Sequence, residues 1–389
     1  MKKKILFING HLKAGGIERL LVDILKNLDY EKYDVDLLLL EGLGEYKEQL
    51  PKPVNIKCFD LSNTYGSLFS SLKRCLIQKD WRCFLIRILI FLSYFFKNKV
   101  YRSIAFLLLG KCKYDFVISM RFGYCLKIAA FGVCAKQRIE WWNNGDFGSQ
   151  SAEVLHIDLK QFNKIIAVSE TIKDFLWEQF PDLKHKIIVI NNGIDIDSIQ
   201  QKAKAFEPYM NNKDKYLICS VGRINPEKRY ELAMDVAKEL RNSKKFDFEW
   251  YIVGDGIDYE KIKTLIPKFR LEEYVHLVGA KENPYPYIVN ADVFVHTSSL
   301  ESFGLSIIEA MALKTPCIVT ESRGPQNYMK NGVNGFLVDD DVKTIVDAIM
   351  RLKNDKILKK QIISEGYKTA LSFNIINTVR QFEEYILEK

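Results

Sequence analysis

The sequence predicts an α/β protein of two consecutive domains, each built on a parallel sheet. Short apolar, β-like runs alternate with helical periods from end to end, the signature of βαβ units. A polar, charged stretch, QKAKAFEPYMNNKDK, interrupts that alternation near the middle. The length of 389 residues exceeds what one hydrophobic core holds at roughly 150 residues per domain.

The first series of strands is expected at KILFING (4–10), YDVDLLLLEG (33–42), VNIKCFD (54–60), YDFVISM (114–120), RIEWWN (138–143), KIIAVSE (164–170) and KIIVIN (186–191). The second is expected at YLICSVG (216–222), FEWYIVGDG (248–256), VHLVGA (275–280), ADVFVHTSS (291–299), PCIVTES (316–322) and GFLVDD (335–340). These runs place a first domain at 1–198 and a second at 199–373, with the helical pattern of about 374–389 able to return to the first. Two such domains predict a ligand cleft between them, because parallel sheets bind ligands beyond the carboxyl ends of their strands.

An apolar fraction of 48% and a charged fraction of 27% describe an ordinary folded chain. The start, MKKKILFINGH, has an apolar run of only Ile5 to Ile8, too short for a secretory h-region and better read as a strand. Eight cysteines with no C-x-x-C pair, mostly within apolar runs, read as buried thiols of a reducing compartment, without zinc or disulfides. The net charge of +8 is concentrated: residues 73–113 hold ten Lys or Arg against Asp80 alone. A remainder close to neutral argues against a nucleic-acid surface and for one local anionic partner.

Neither common phosphate loop is present. The first strand turn, GHLKAGGIER, has Gly16 and Ile17 where a P-loop needs Lys and Ser or Thr, so ATPase and dinucleotide-dehydrogenase readings weaken. Gly15 and Gly16 still let a ligand approach a helix N-terminus, or simply make a tight turn. In the second domain, Arg223 and Lys228 follow a strand end, where two fixed cations can neutralise a diphosphate, or can be ordinary loop charges. The stretch ESFGLSIIE (301–309) places Gly304 and Leu305 at a helix start suited to phosphate. Glu309 lies about a turn further on and suits a ribose diol. Otherwise Glu301 is a solvated turn residue and Glu309 an exposed helix position.

Taken together, GGIER (15–19), NNGID (191–195), GRINPEK (222–228), VGDG (253–256), VGAKENPYPYIVNAD (278–292), ESFGLSIIE (301–309) and NGFLV (334–338) resemble the retaining glycosyltransferases of family four. The resemblance implies the GT-B fold, two Rossmann-like domains facing across a cleft. It implies that Glu309 holds the nucleotide ribose, that Arg223 and Lys228 hold the diphosphate, and that the backbone of Ser302, Phe303, Gly304 and Leu305 binds phosphate. Glu301 would contact the donor sugar, and Gly15 and Gly16 would close the donor site from the first domain. Such enzymes use a nucleotide sugar, usually a uridine one, and need no bound metal or other cofactor. They retain the donor's anomeric configuration by front-face transfer, and relatives build bacterial capsule, exopolysaccharide or lipopolysaccharide.

One departure concerns the catalytic end. Where many relatives carry a histidine, this chain has Asn143 and Asn144, and an asparagine can donate a hydrogen bond but cannot act as a base near neutral pH. His11, beside the glycine turn, can compensate or be structural.

WRCFLIRILIFLSYFF (81–96) is too short and too interrupted by Arg82 and Arg87 to span a bilayer. With its surrounding cations it suits a helix lying in an anionic membrane interface, or an ordinary half-buried helix. The triple Asp339-Asp340-Asp341 reads as a helix cap rather than a metal site.

The expectation is therefore a retaining, metal-independent hexosyltransferase, peripheral on the inner, cytoplasmic face of the cell membrane. Its acceptor would be a lipid-linked (polyprenyl) or other glycan. The alternatives are a non-catalytic nucleotide-sugar-binding homologue, a partner subunit of another transferase, and a sugar-nucleotide epimerase.

Overall fold

A computed structural model describes residues 2–13, 15–147, 150–209, 215–244 and 246–388. It divides into two compact units, residues 1–190 with 379–389, and residues 191–378.

The first unit carries seven strands: β1 (Lys3–Asn9), β2 (Tyr33–Leu39), β3 (Asn55–Cys58), β4 (Lys113–Ser119), β5 (Cys134–Trp142), β6 (Lys164–Ala167) and β7 (Ile187–Val189). They form one sheet in the order β3-β2-β1-β4-β5-β6-β7, every pair parallel. Ile5, Leu6, Phe7 and Ile8 are fully buried in β1, because helices cover both faces of a parallel sheet and leave no polar side to alternate with. The chain's last helical stretch closes this core, with Phe382 against Phe7 and Trp141 at ring separations of 6.2 and 5.2 Å.

The second unit carries β8 (Tyr216–Val221), β9 (Phe248–Val253), β10 (Val275–Gly279), β11 (Val293–His296), β12 (Cys317–Thr320) and β13 (Phe336–Val338). Their order is β10-β9-β8-β11-β12-β13, again all parallel. Trp250 is fully buried and its indole N–H donates to Ser220 Oγ at 3.0 Å, so the largest core side chain satisfies its only polar atom.

All thirteen expected runs form strands, and both sheets reverse direction once, between β1 and β4 and between β8 and β11. In open parallel sheets ligands bind where the strand order reverses, beyond the carboxyl ends. The loops after β1, β4, β8 and β11 hold most of the sequence-selected residues.

Several local expectations change. Strand β5 begins at Cys134, four residues before the apolar run, because its polar first half pairs with β4 from Lys113 onward. The interdomain stretch includes a helix, Ile196–Lys202, capped by the Asp195 carboxylate, and its residues 210–214 lie outside the described residues, as does Ala14 of the glycine turn. The cysteines are not uniformly buried: Cys134 is exposed, and Cys58 and Cys112 are half-buried. Arg87 is no surface cation, since it is buried and donates to Ser71 Oγ at 2.7 Å and Gly66 O at 3.2 Å. No helix among the described residues is long and apolar enough to cross a membrane.

Candidate functional site

In the second unit, β8 ends in the loop Gly222–Lys228 and β11 in the loop Thr297–Gly304. Two bonds tie them together: Thr297 Oγ1 donates to Lys228 O at 2.8 Å and Ser299 N to Glu227 O at 3.0 Å. Gly254, after β9, packs so closely on Gly222 that a Cβ there would overlap its carbonyl oxygen, which explains a glycine in VGDG by close approach alone.

At the centre lies Glu301, its side chain only 12% exposed. Lys228 Nζ pairs with its carboxylate, His296 Nε2 lies 2.8 Å from Oε1, and Ser298 Oγ donates to the same oxygen at 3.4 Å. Burial pushes the Glu301 carboxyl upward, but the Lys228 charge and the His296 hydrogen bond outweigh it and hold the group well below the carboxylate range. Burial also lowers the His296 imidazole against the pull of Glu301, with Lys228 lowering it further. The imidazole is therefore neutral near pH 7 and donates through Nε2–H. The cluster is a fixed carboxylate held by one cation and two neutral donors.

The turn after Glu301 is fixed by Phe303, buried against Phe373 and Tyr328 at 5.2 and 5.7 Å, and by Tyr328 O–H donating to Phe303 O at 2.8 Å. Gly304 then adopts the left-handed region, φ +86° and ψ 56°, and opens the helix Leu305–Ala312. A side chain there is doubly penalised, because an added Cβ would also lie 2.8 Å from Ile307 Cδ1. The first amides of a helix have no intrahelical acceptor and carry its positive end. Free amides of this kind suit an anion.

Glu309 is buried on that helix and accepts from Tyr285 O–H at 2.8 Å, so it is neither an exposed helix position nor part of the Glu301 cluster. Arg223 is exposed and forms no ion pair with any described residue. Lys228, Glu301, Ser302, Phe303, Gly304 and Leu305 are brought together, with Glu309 further along the same helix. Sequence reasoning missed His296 and Tyr285. The signal for His296 was a polar residue ending an otherwise apolar strand five positions before Glu301.

In the first unit, Gly15 caps and Gly16 starts the helix Gly16–Asn27 after β1. His11 sits in the same loop, and its Nδ1 accepts from Lys13 N at 3.2 Å, which places the ring proton on Nε2, 4.0 Å from Glu41 Oε2. Burial and Arg121 lower the His11 pKa despite Glu18 and Glu41, so His11 presents a neutral N–H donor rather than a base at Nε2. Arg121, just after β4, pairs with the buried Glu18. Asn143 follows β5 and is buried, its amide donating to Trp141 O at 2.9 Å and Met120 O at 3.4 Å. Asn144 is half-buried, and its backbone carbonyl accepts from Trp142 Nε1 at 2.8 Å.

The acidic run before the last sheet helix caps it: Asp341 Oδ1 accepts from Lys343 N and Thr344 N at 2.9 and 3.1 Å.

Residues 201–369 match the family model of glycosyl transferases group 1. Over its full 389 residues the chain is 24% identical to the full length of the N-acetylgalactosamine-N,N'-diacetylbacillosaminyl-diphospho-undecaprenol 4-alpha-N-acetylgalactosaminyltransferase of Campylobacter jejuni. It is 29% identical over 218 residues, 52% of this chain and 54% of the relative, to the UDP-Gal:alpha-D-GlcNAc-diphosphoundecaprenol alpha-1,3-galactosyltransferase of Escherichia coli. Among solved structures, Anabaena HepE in complex with UDP and glucose superposes with a TM-score of 0.74 at 20% identity, covering all of both chains. TarM of S. aureus in complex with UDP superposes with 0.73 at 15% identity, over 98% of this chain and 99% of TarM. The fold is thereby the GT-B fold.

Proposed function

We propose, from the premise that this chain is a GT-B glycosyltransferase, that it moves a hexose or N-acetylhexosamine from a nucleotide sugar to a lipid-linked or surface-polysaccharide glycan with retention of configuration. The donor is the uridine one. UDP in HepE and TarM and the undecaprenol-linked acceptors in the names of the two curated relatives support this reading. The observation that carries it is the buried Glu301 carboxylate, held by Lys228 and His296 beside the left-handed Gly304 and the helix start.

In that reading the second unit binds the donor. The Ser302 to Leu305 amides, Arg223 and Lys228 neutralise the diphosphate, which makes a bound metal unnecessary. Glu309, oriented by Tyr285, accepts from the ribose hydroxyls, and Glu301 contacts the sugar. The first unit binds the acceptor, and Gly15, Gly16, His11, Asn143 and Asn144 are the groups of that unit assigned to catalysis. The developing negative charge on the leaving phosphate is stabilised by fixed dipoles that need no reorganisation, and the phosphate itself takes the acceptor proton.

The membrane reading rests on an exposed apolar face. Phe69, Ile77 and Trp81 are 84%, 70% and 64% exposed, beside the exposed Lys73, Lys79 and Arg82. Apolar anchors ringed by cations suit the anionic inner face of a cell membrane. Calorimetric titration of the full chain with uridine diphosphate tests the donor assignment. Saturable binding that Glu309→Ala removes supports it, and undiminished binding by that variant overturns it.

A further inference from the structure

A cationic concavity of the first unit lies at the opposite end of its sheet, away from the carboxyl ends of the strands. A groove of about 1620 Å³ runs along the amino-terminal ends of β4 and β5, lined by Lys99, Arg102, Lys111, Lys113 and Arg138 and, among the described residues, by no acidic one. None of Lys99, Arg102, Lys111 and Lys113 forms an ion pair among the described residues, and all four are exposed. Arg138 is fixed in place, donating to Ala129 O at 3.2 Å and Val133 O at 2.9 Å. Like charges gathered in one concavity repel each other and raise the local concentration of anions. A bound phosphate relieves that repulsion.

Much of the rest of the lining is apolar, with Ser103 and Gln161 as the uncharged polar side chains. Phe106, Leu109, Phe131 and Val133 face the same groove, and Phe106 is 57% exposed. A small hydrophilic anion leaves that surface in water, whereas a ligand with an apolar chain covers it. We propose that this groove binds a phosphate-bearing amphiphile, its phosphate among the Arg102, Lys111 and Lys113 cations and its chain against Phe106 and Phe131. The site stands apart from the transfer chemistry, since the eight steps of β5 from Cys134 to Trp142 carry the backbone on the order of 26 Å at about 3.3 Å per residue. It is distinct from the Phe69, Ile77 and Trp81 face, and either can fail while the other stands.

The test is calorimetric titration of the full chain with dihexanoyl phosphatidic acid below its micelle concentration, against dihexanoyl phosphatidylcholine and inorganic phosphate. The expected result is saturable binding of phosphatidic acid, at least about tenfold tighter than either comparison ligand and weakened at least about tenfold in Arg102→Glu/Lys111→Glu. Both substituted residues are exposed, and unchanged uridine diphosphate binding reports an intact fold. A second pair, Lys99→Glu/Lys113→Glu, gives the same readout if the first misfolds. Equal affinity for inorganic phosphate would make this a simple anion site and overturn the amphiphile. Binding of phosphatidic acid that survives the charge reversals would overturn the groove.

Discussion

Lys228→Met is the most informative single change, because it removes the cation from a buried carboxylate and leaves the remainder of the cluster in place. The Lys228 and Glu301 side chains are 16% and 12% exposed, and breaking a buried pair from one side costs roughly 3–5 kcal/mol. The His296 hydrogen bond to Glu301 at 2.8 Å survives, which sets the expectation at the low end, about 3 kcal/mol. For a domain of 150–250 residues that corresponds to a melting temperature lower by about 6–12 °C, at roughly 2–4 °C per kcal/mol. The assay is thermal unfolding of the full chain by circular dichroism at pH 7, alongside Lys228→Met/Glu301→Gln. Removing both charges leaves no orphan, so the double variant should recover to within about 1 kcal/mol of the parent. The pH dependence has a definite sign. Glu301 is held below its ordinary value of 4.5, so its pairing stabilises the fold above that pH and is lost as the pH falls further. The deficit of Lys228→Met is therefore largest at neutral pH and narrows below about pH 4.5. A single variant melting within about 1 °C of the parent at pH 7 would refute the reasoning.

Glu309→Ala should lower nucleotide-sugar turnover on the order of 100-fold or more in kcat/KM, and losing its hydrogen bond with Tyr285 should lower the melting temperature by about 3–12 °C, from roughly 1.5–3 kcal/mol at 2–4 °C each. Tyr285→Phe removes only the hydrogen bond that orients Glu309, and should weaken uridine diphosphate binding by about fivefold, roughly 1 kcal/mol. Gly304→Ala should cost about 1–2 kcal/mol for the left-handed backbone alone, read as a lower melting temperature together with weaker nucleotide binding. Ile77→Glu/Trp81→Glu should prevent flotation of the full chain with vesicles containing anionic lipid while leaving uridine diphosphate binding unchanged. Flotation equal to that of the parent would remove the exposed face from the membrane account.

The sheets were legible because parallel strands buried on both faces read as unbroken apolar runs, such as KILFIN and YLICSV. The start of β5 was not, because its first residues are largely exposed and extend beyond β6, so that backbone pairing with β4, rather than side-chain burial, makes the strand. Glu301 and Lys228 were selected separately, one for the sugar and one for the diphosphate, and only the fold shows them paired. Their contact spans 73 residues of sequence and depends on the adjacency of β8 and β11, which periodicity does not encode. His296 was missed for a different reason: it lies only five residues from Glu301, but a polar residue ending an apolar strand reads simply as the strand's boundary. Arg87 was counted as a surface cation because charge composition does not say which way a helix faces.

The central claim is that a cation-rich, metal-free donor unit drives sugar transfer to a lipid-linked acceptor. The most direct measurement is nucleotide release by the purified chain from uridine, guanosine and adenosine diphosphate sugars, with and without bacterial lipid extract, in the presence of a chelator. The account predicts release from a uridine donor that rises with lipid and is unaffected by chelation. Tight nucleotide binding with no release under any of these conditions would contradict it and establish a non-catalytic nucleotide-sugar-binding protein.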